Sequence, residues 1–190
     1  MRILLLTHAF NSLTQRLAAE LRLRGHEISI EFDIADTVTE EAVMLFRPEL
    51  IIAPYLRRAI PESVWSQHLC LIVHPGVVGD RGPSALDWAI QAGVAEWGVT
   101  VLQAEAEMDA GPVWASATFP MRAAKKSSIY RNEVTQAAIR AVLQAVQRFA
   151  QPDFQPYRPL ASQWRPLLPQ AGRAIDWHHD DSATVLCNIA

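Results

Sequence analysis

The chain has 190 residues, half of them hydrophobic and 19% charged, enough apolar material for a substantial core and too much for a disordered chain. Seventeen basic residues against 20 acidic ones leave a net charge of −3, so no overall basic field draws it to nucleic acid. The two cysteines, Cys70 and Cys187, lie far apart and suggest neither a disulfide framework nor a CxxC metal site, which fits a reducing compartment.

The apolar start, MRILLLTHAF, is too short for a signal sequence or a membrane span, so a cytoplasmic protein away from membranes is expected. Within it, residues 2–7 (RILLLT) have the form of a fully buried parallel strand. Asn11 and Ser12 offer caps for a helix with Leu13, Leu17, Ala18 and Leu21 on one face, and Gly25 suits its left-handed end. Residues 26–32 alternate as a second strand, so the opening is βαβ and the sheet is expected to be parallel. The first turn reads THAFNS, without the dinucleotide fingerprint G-x-G-x-x-G, and no phosphate-loop motif occurs anywhere.

Residues 37–46 predict a short helix ended by Pro48, and residues 49–53 a third strand followed by a loop over 54–60. Pro61 opens another short helix through Trp65. The apolar run 69–73 is a fourth strand that stops at His74. A loop holding Gly76, Gly79, Gly82 and Pro83 follows, then a helix with Ser84 as its N-cap. Residues 98–104 form a fifth strand, and residues 113–121 alternate like an antiparallel or edge strand. Residues 125–128 read as a polar link into a long amphipathic helix over about 129–150. Five prolines between 151 and 170 exclude a regular helix and mark a linker wrapping the surface. Residues 174–189 look like the beginning of another unit, with a helix from Ser182. The expected division is therefore a domain over 1–150, a proline-rich linker over 151–172 and the truncated start of a second segment over 173–190.

Chemistry is expected where His74 ends its strand, because open α/β sheets bind ligands beyond the carboxyl ends of their strands. Asp109, in MDAGPV after the fifth strand, can share a hydrogen bond with such a histidine and set its tautomer. The intervening loop and the helix start at Ser84 offer N–H groups to an anion. Against this stand plainer readings. A strand-end histidine is often structural, Asp-Ala-Gly is often a turn, and an Asp80-Arg81 pair on a loop is more often solvated or paired internally. Leu86 and Trp88 fit core packing. His178, His179, Asp180 and Asp181 are consecutive and cannot converge on one ion, so no metal site is expected.

HPGVVGDRG followed by a helix, then GVTVLQAEAEMDAGPV, resembles the folate-dependent formyltransferases acting on glycinamide ribonucleotide and methionyl-tRNA. Those enzymes carry N-x-H with S-L-L-P, a later G-x-T strand and D-x-G. The resemblance implies an α/β, Rossmann-like formyltransferase fold, with a mostly parallel sheet flanked by helices. It also implies 10-formyltetrahydrofolate as formyl donor and cosubstrate, and an Asn, a His and an Asp as site residues. The His and Asp positions fall on His74 and Asp109. The Asn position falls on Ile72, whose side chain can neither donate nor accept. Loss of such an oxyanion donor typically costs about 10²–10³ in rate. The resemblance also implies that folate is held by the loop after the third strand, with Tyr55, Leu56 and Arg57, by Gly76, and by the turn Glu105, Ala106, Glu107 and Met108.

The departures at Ile72 and in PGVVGDRGPS resemble the HypX/HoxX-type hydrogenase maturation proteins, in which a formyltransferase module precedes a crotonase-like domain of the same polypeptide. That resemblance implies coenzyme A as acceptor, with formyl-CoA the precursor of the carbon monoxide ligand of nickel–iron hydrogenase. Two other readings remain open at this stage. One is a formyltransferase with an amine acceptor, such as a tRNA-linked amino acid or an amino sugar; the other is a folate-binding domain without catalysis.

Overall fold

The computed structural model describes residues 1–182, 184 and 185. Its framework is built by aliphatic runs too short for helices and apolar on both faces. β1 (Arg2–Thr7) leads through α1 (Ser12–Leu23) to β2 (Glu27–Phe32), and α2 (Asp36–Phe46) leads to β3 (Leu50–Tyr55). α1 starts because the Asn11 side chain accepts the Thr14 N–H at 3.0 Å, and it buries Leu13, Leu17, Ala18 and Leu21. The chain leaves α1 through Gly25, at φ +81°. After α3 (Glu62–Trp65) come β4 (Cys70–His74), the short β5 (Asp80–Arg81) and α4 (Ala85–Gln91). β6 (Glu96–Gln103) and β7 (Val113–Pro120) complete a six-stranded sheet in the order β2-β1-β3-β4-β6-β7.

β1 to β4 pair in parallel, whereas β6 pairs antiparallel with β4 and β7 antiparallel with β6. The mostly parallel sheet is therefore as expected, with β6 its one reversed strand. Between β4 and β6 the chain makes a glycine loop, β5 and the seven-residue α4. β6 then enters the sheet beside the end at which β4 left it, with Thr100 opposite His74. β7 is the edge strand that its alternation predicts.

One face of the sheet turns Ile3, Leu5, Leu50, Ile52, Leu71 and Val73 to α1, α4 and the C-terminal helix. The opposite face buries Leu4, Leu6, Ile51 and Cys70 beside α2 and α3, forming a second core cluster. That C-terminal helix begins earlier than expected. Lys126–Ile129 (α5) is already helical, a π-helical turn spans Tyr130–Val134, and α6 runs Thr135–Phe149. The polar residues expected to link into the helix form its first turn, where Lys126 pairs with the buried Asp87 at 2.6 Å.

The proline-rich stretch after α6 lies across the domain. β8 (Gln163–Trp164) pairs in parallel with β5, Leu168 is buried, and Pro166 accepts a hydrogen bond from the Trp88 indole. A 3₁₀ turn follows at Gln170–Arg173. Ser182, Thr184 and Val185 are helical, as expected. Cys187 and the rest of that predicted helix, at 183 and 186–190, lie outside the described residues.

Candidate functional site

His74 is the last residue of β4 and is only 4% exposed. It shares a strand face with Ile72, which pairs with Ala53 of β3 and Leu102 of β6 and packs its apolar side chain into the second core cluster. The loop that follows is shaped by close approach. A Cβ at Gly76 would lie 2.3 Å from His74 Nε2 and 2.6 Å from Asp80 Oδ2, so only glycine fits there. Thr100 donates to the Gly76 carbonyl at 2.8 Å, and the Trp97 indole donates to that of Pro75 at 2.9 Å.

Asp109 reaches His74 by a route different from the expected one. β6 is antiparallel to β4, with Gln103 beside Leu71 and Thr100 beside His74, so the end of β6 lies away from the histidine. It is the excursion between β6 and β7 that folds back, with Asp109 in left-handed backbone at φ +53°. Its carboxylate accepts the Gly82 N–H at 3.0 Å and stands 3.5 Å from His74 Nδ1, an ion-pair distance longer than a hydrogen bond. The other ring nitrogen is taken: His74 Nε2 lies 3.0 Å from Asp80 Oδ2. Asp80 is itself buried, and Arg165 Nε lies 3.3 Å from its second oxygen, without hydrogen-bond alignment.

The turn before Asp109 is tied on two sides. Arg81 pairs with Glu107 at 2.6 Å and donates to the Met108 carbonyl; Arg158 pairs with Glu105 at 2.6 Å and donates to Ala110. The side chains of Ala106, Glu107 and Met108 face solvent. Of the residues expected after β3, Tyr55 is the last of the strand, and Leu56 packs into the second core cluster. The Arg57 side chain is exposed, while its amide donates to Asp33 at 3.1 Å.

A second polar group at the ends of β1 to β3 was not apparent in the sequence. Asp33 is 4% exposed and accepts from the amides of both Arg57 and Arg58, while its other oxygen bonds His8 Nδ1 at 2.8 Å. Nearby, the Tyr130 phenol in the π-helical turn is pushed up to about 12, chiefly by burial, with a hydrogen bond to Asn11 opposing. The only sequence trace of this group is polar residues directly after two aliphatic strands. Among the described residues no group of His, Cys, Asp and Glu could hold a metal ion, and His178, His179 and Asp180 form no such cluster.

A family model for formyl transferase matches residues 5–146, three quarters of the chain and every element from β1 into α6. The chain belongs to the formyltransferase family. It is 60% identical over its whole length to the hydrogenase maturation factor HoxX of Bradyrhizobium diazoefficiens, covering 34% of that protein. It superposes on HypX from Aquifex aeolicus, crystallised with tetrahydrofolic acid, at a TM-score of 0.96 and 53% identity; the match covers 99% of this chain and 33% of HypX. The chain thus spans about a third of the length of these two relatives. A methionyl-tRNA formyltransferase from Clostridium thermocellum shares the fold at a TM-score of 0.79 and 15% identity. No helix of the described residues is long and apolar enough to cross a membrane.

Proposed function

We propose that this chain carries the formyl-transfer site of a hydrogenase maturation protein, and that it moves a formyl group from 10-formyltetrahydrofolate to the thiol of coenzyme A. The observation that carries this reading is the buried His74 with Asp109 at 3.5 Å, in a chain 53% identical to a protein crystallised with tetrahydrofolic acid. Residues 1–150 form the formyl-transfer unit, 151–172 a linker, and 173–190 begin a second segment. A crotonase-like continuation of the same polypeptide completes the protein in this reading, acting in the cytoplasm.

In the transfer, the acceptor sulfur bonds to the formyl carbon while His74 takes the thiol proton. His74 and the loop amides steady the oxyanion that develops. The bond from carbon to the folate N10 then breaks, and His74, oriented by Asp109, returns the proton to that nitrogen. The products are formyl-CoA and tetrahydrofolate, with no redox change. Tyr55, Leu56, Arg57, Gly76 and the turn at Glu105, Ala106, Glu107 and Met108 are the candidate folate contacts. Ile72 supplies no amide to the oxyanion. A thiol, softer and more acidic than an amine, tolerates that loss better, which favours coenzyme A over an amine acceptor.

An acceptor panel tests the reading: 10-formyltetrahydrofolate offered with coenzyme A, methionyl-tRNA or an amino sugar. Formyl-CoA as the main product supports it, and a formylated amine in its place overturns it. Tight folate binding with no transfer to any acceptor by the full-length protein points to a folate-binding domain instead.

A further inference from the structure

The geometry points to Asp80 as a positioning residue for His74, one that holds the ring by Nε2 and leaves Nδ1 as the working nitrogen. This rests on the formyl-transfer reading and adds to it a carboxylate outside the family's Asn, His and Asp. The two acids beside the ring are not equivalent: Asp80 is buried and Asp109 only partly so. Asp80 Oδ2 is at hydrogen-bond distance from Nε2, 3.0 Å, whereas Asp109 Oδ2 stands 3.5 Å from Nδ1 and already accepts the Gly82 amide. A neutral imidazole donates from one nitrogen only, so the tautomer that satisfies these distances carries its proton on Nε2 and a lone pair on Nδ1.

Asp80 is itself held from several directions. Its amide donates to Val77 at 2.9 Å, Gln163 donates to the neighbouring Gly79 carbonyl at 2.7 Å, and Arg165 donates to the Arg81 carbonyl at 2.8 Å. The Arg165 guanidinium stands beside the second Asp80 oxygen and over the Trp97 ring. Gly76 closes the remaining side, where no other residue would leave the pair in contact. The charged groups facing His74 are therefore Asp80 from β5 and Asp109 from the β6–β7 loop, with Arg165, directly after β8, behind Asp80. As Nδ1 gains the acceptor's proton, the Asp80 carboxylate stabilises the cation without moving.

Two measurements test this. A ¹⁵N imidazole spectrum of the wild-type protein reports the tautomer of neutral His74 whether or not the protein is active; the Nε2–H form is expected, and the Nδ1–H form overturns the proposal. In Asp80→Asn, kcat is expected to fall roughly tenfold or more, with KM for the folate held within about twofold. The ascending limb of the kcat–pH profile should move to lower pH, because a negative charge beside the imidazolium is gone. Arg165→Gln, which removes the opposing positive charge, should move that limb the other way. An Asp80→Asn protein with wild-type kcat and an unmoved limb overturns the proposal while leaving the formyl-transfer reading intact. A wild-type protein with no transfer fails that reading instead, and the spectrum still decides the tautomer.

Discussion

Asp109 occupies left-handed backbone, a conformation that asparagine adopts as readily as aspartate, so Asp109→Asn removes a charge and keeps the turn. Its amide oxygen can still accept the Gly82 N–H. The variant is expected to lose roughly 10²–10⁴ in kcat with little change in Tm, measured by transfer assay beside a melting curve. Gly76→Ala makes a steric case: the added methyl falls on both His74 Nε2 and Asp80 Oδ2 and forces the ring aside. A shift near 1 Å is worth on the order of 10² in rate, so a fall of that size in kcat is expected. Unchanged kcat in Gly76→Ala would show that the ring's place is not critical. At this scale the nearness of His74 and Asp109 was legible, since one ends an aliphatic strand and the other sits in a recognisable turn. Asp80 was not. A DR pair in a glycine loop reads as solvated or paired internally, and nothing local shows that β8 and the following Arg165, more than 80 positions further on, cover it.

The elements show where sequence patterns stop informing. Strand runs, the Asn11 cap and the alternation of β7 carry local signals, and all of them appear as expected. The direction of β6 carries none, because an apolar run reads the same whichever way it pairs with β4. The prolines after α6 excluded a regular helix and marked a segment wrapping the surface, but gave no sign of its pairing with β5 or of its buried leucine. Leu168 is buried, and its amide donates to Ser84 Oγ at 3.1 Å, so the serine expected to cap α4 with its side chain ties down the strap instead. Leu168→Ala is expected to cost roughly 2 kcal/mol or more at this anchor. Hydrogen exchange should report it as faster exchange at the Gln163 and Arg165 amides, which bridge β5 and β8. Unaltered protection there would mean that the strap is held by its other contacts alone.

At the scale of the whole molecule, burial on both faces of the sheet makes two acids resist ionisation. Cys70, in the second core cluster, is pushed up from 9.0 to about 12, and Tyr130 from 10.0 to about 12. The unfolded chain releases both protons earlier than the folded one. Their effect on stability is therefore absent below about pH 9 and grows unfavourable as pH rises toward 12. Each group contributes about 1.4 kcal/mol per pH unit within its own interval. Urea midpoints measured from pH 8 to 11 should fall along that course; a flat profile would contradict the burial of both groups. The same burial keeps Cys70 out of thiol chemistry.

The most direct test of the account is a stoichiometric assay of the full-length protein and its His74→Ala variant with 10-formyltetrahydrofolate and coenzyme A, alongside folate binding to each. One formyl-CoA is expected for each tetrahydrofolate released by the wild type. In His74→Ala, folate binding should be retained and transfer lost by roughly 10² or more. Equal transfer rates in the two proteins would contradict it.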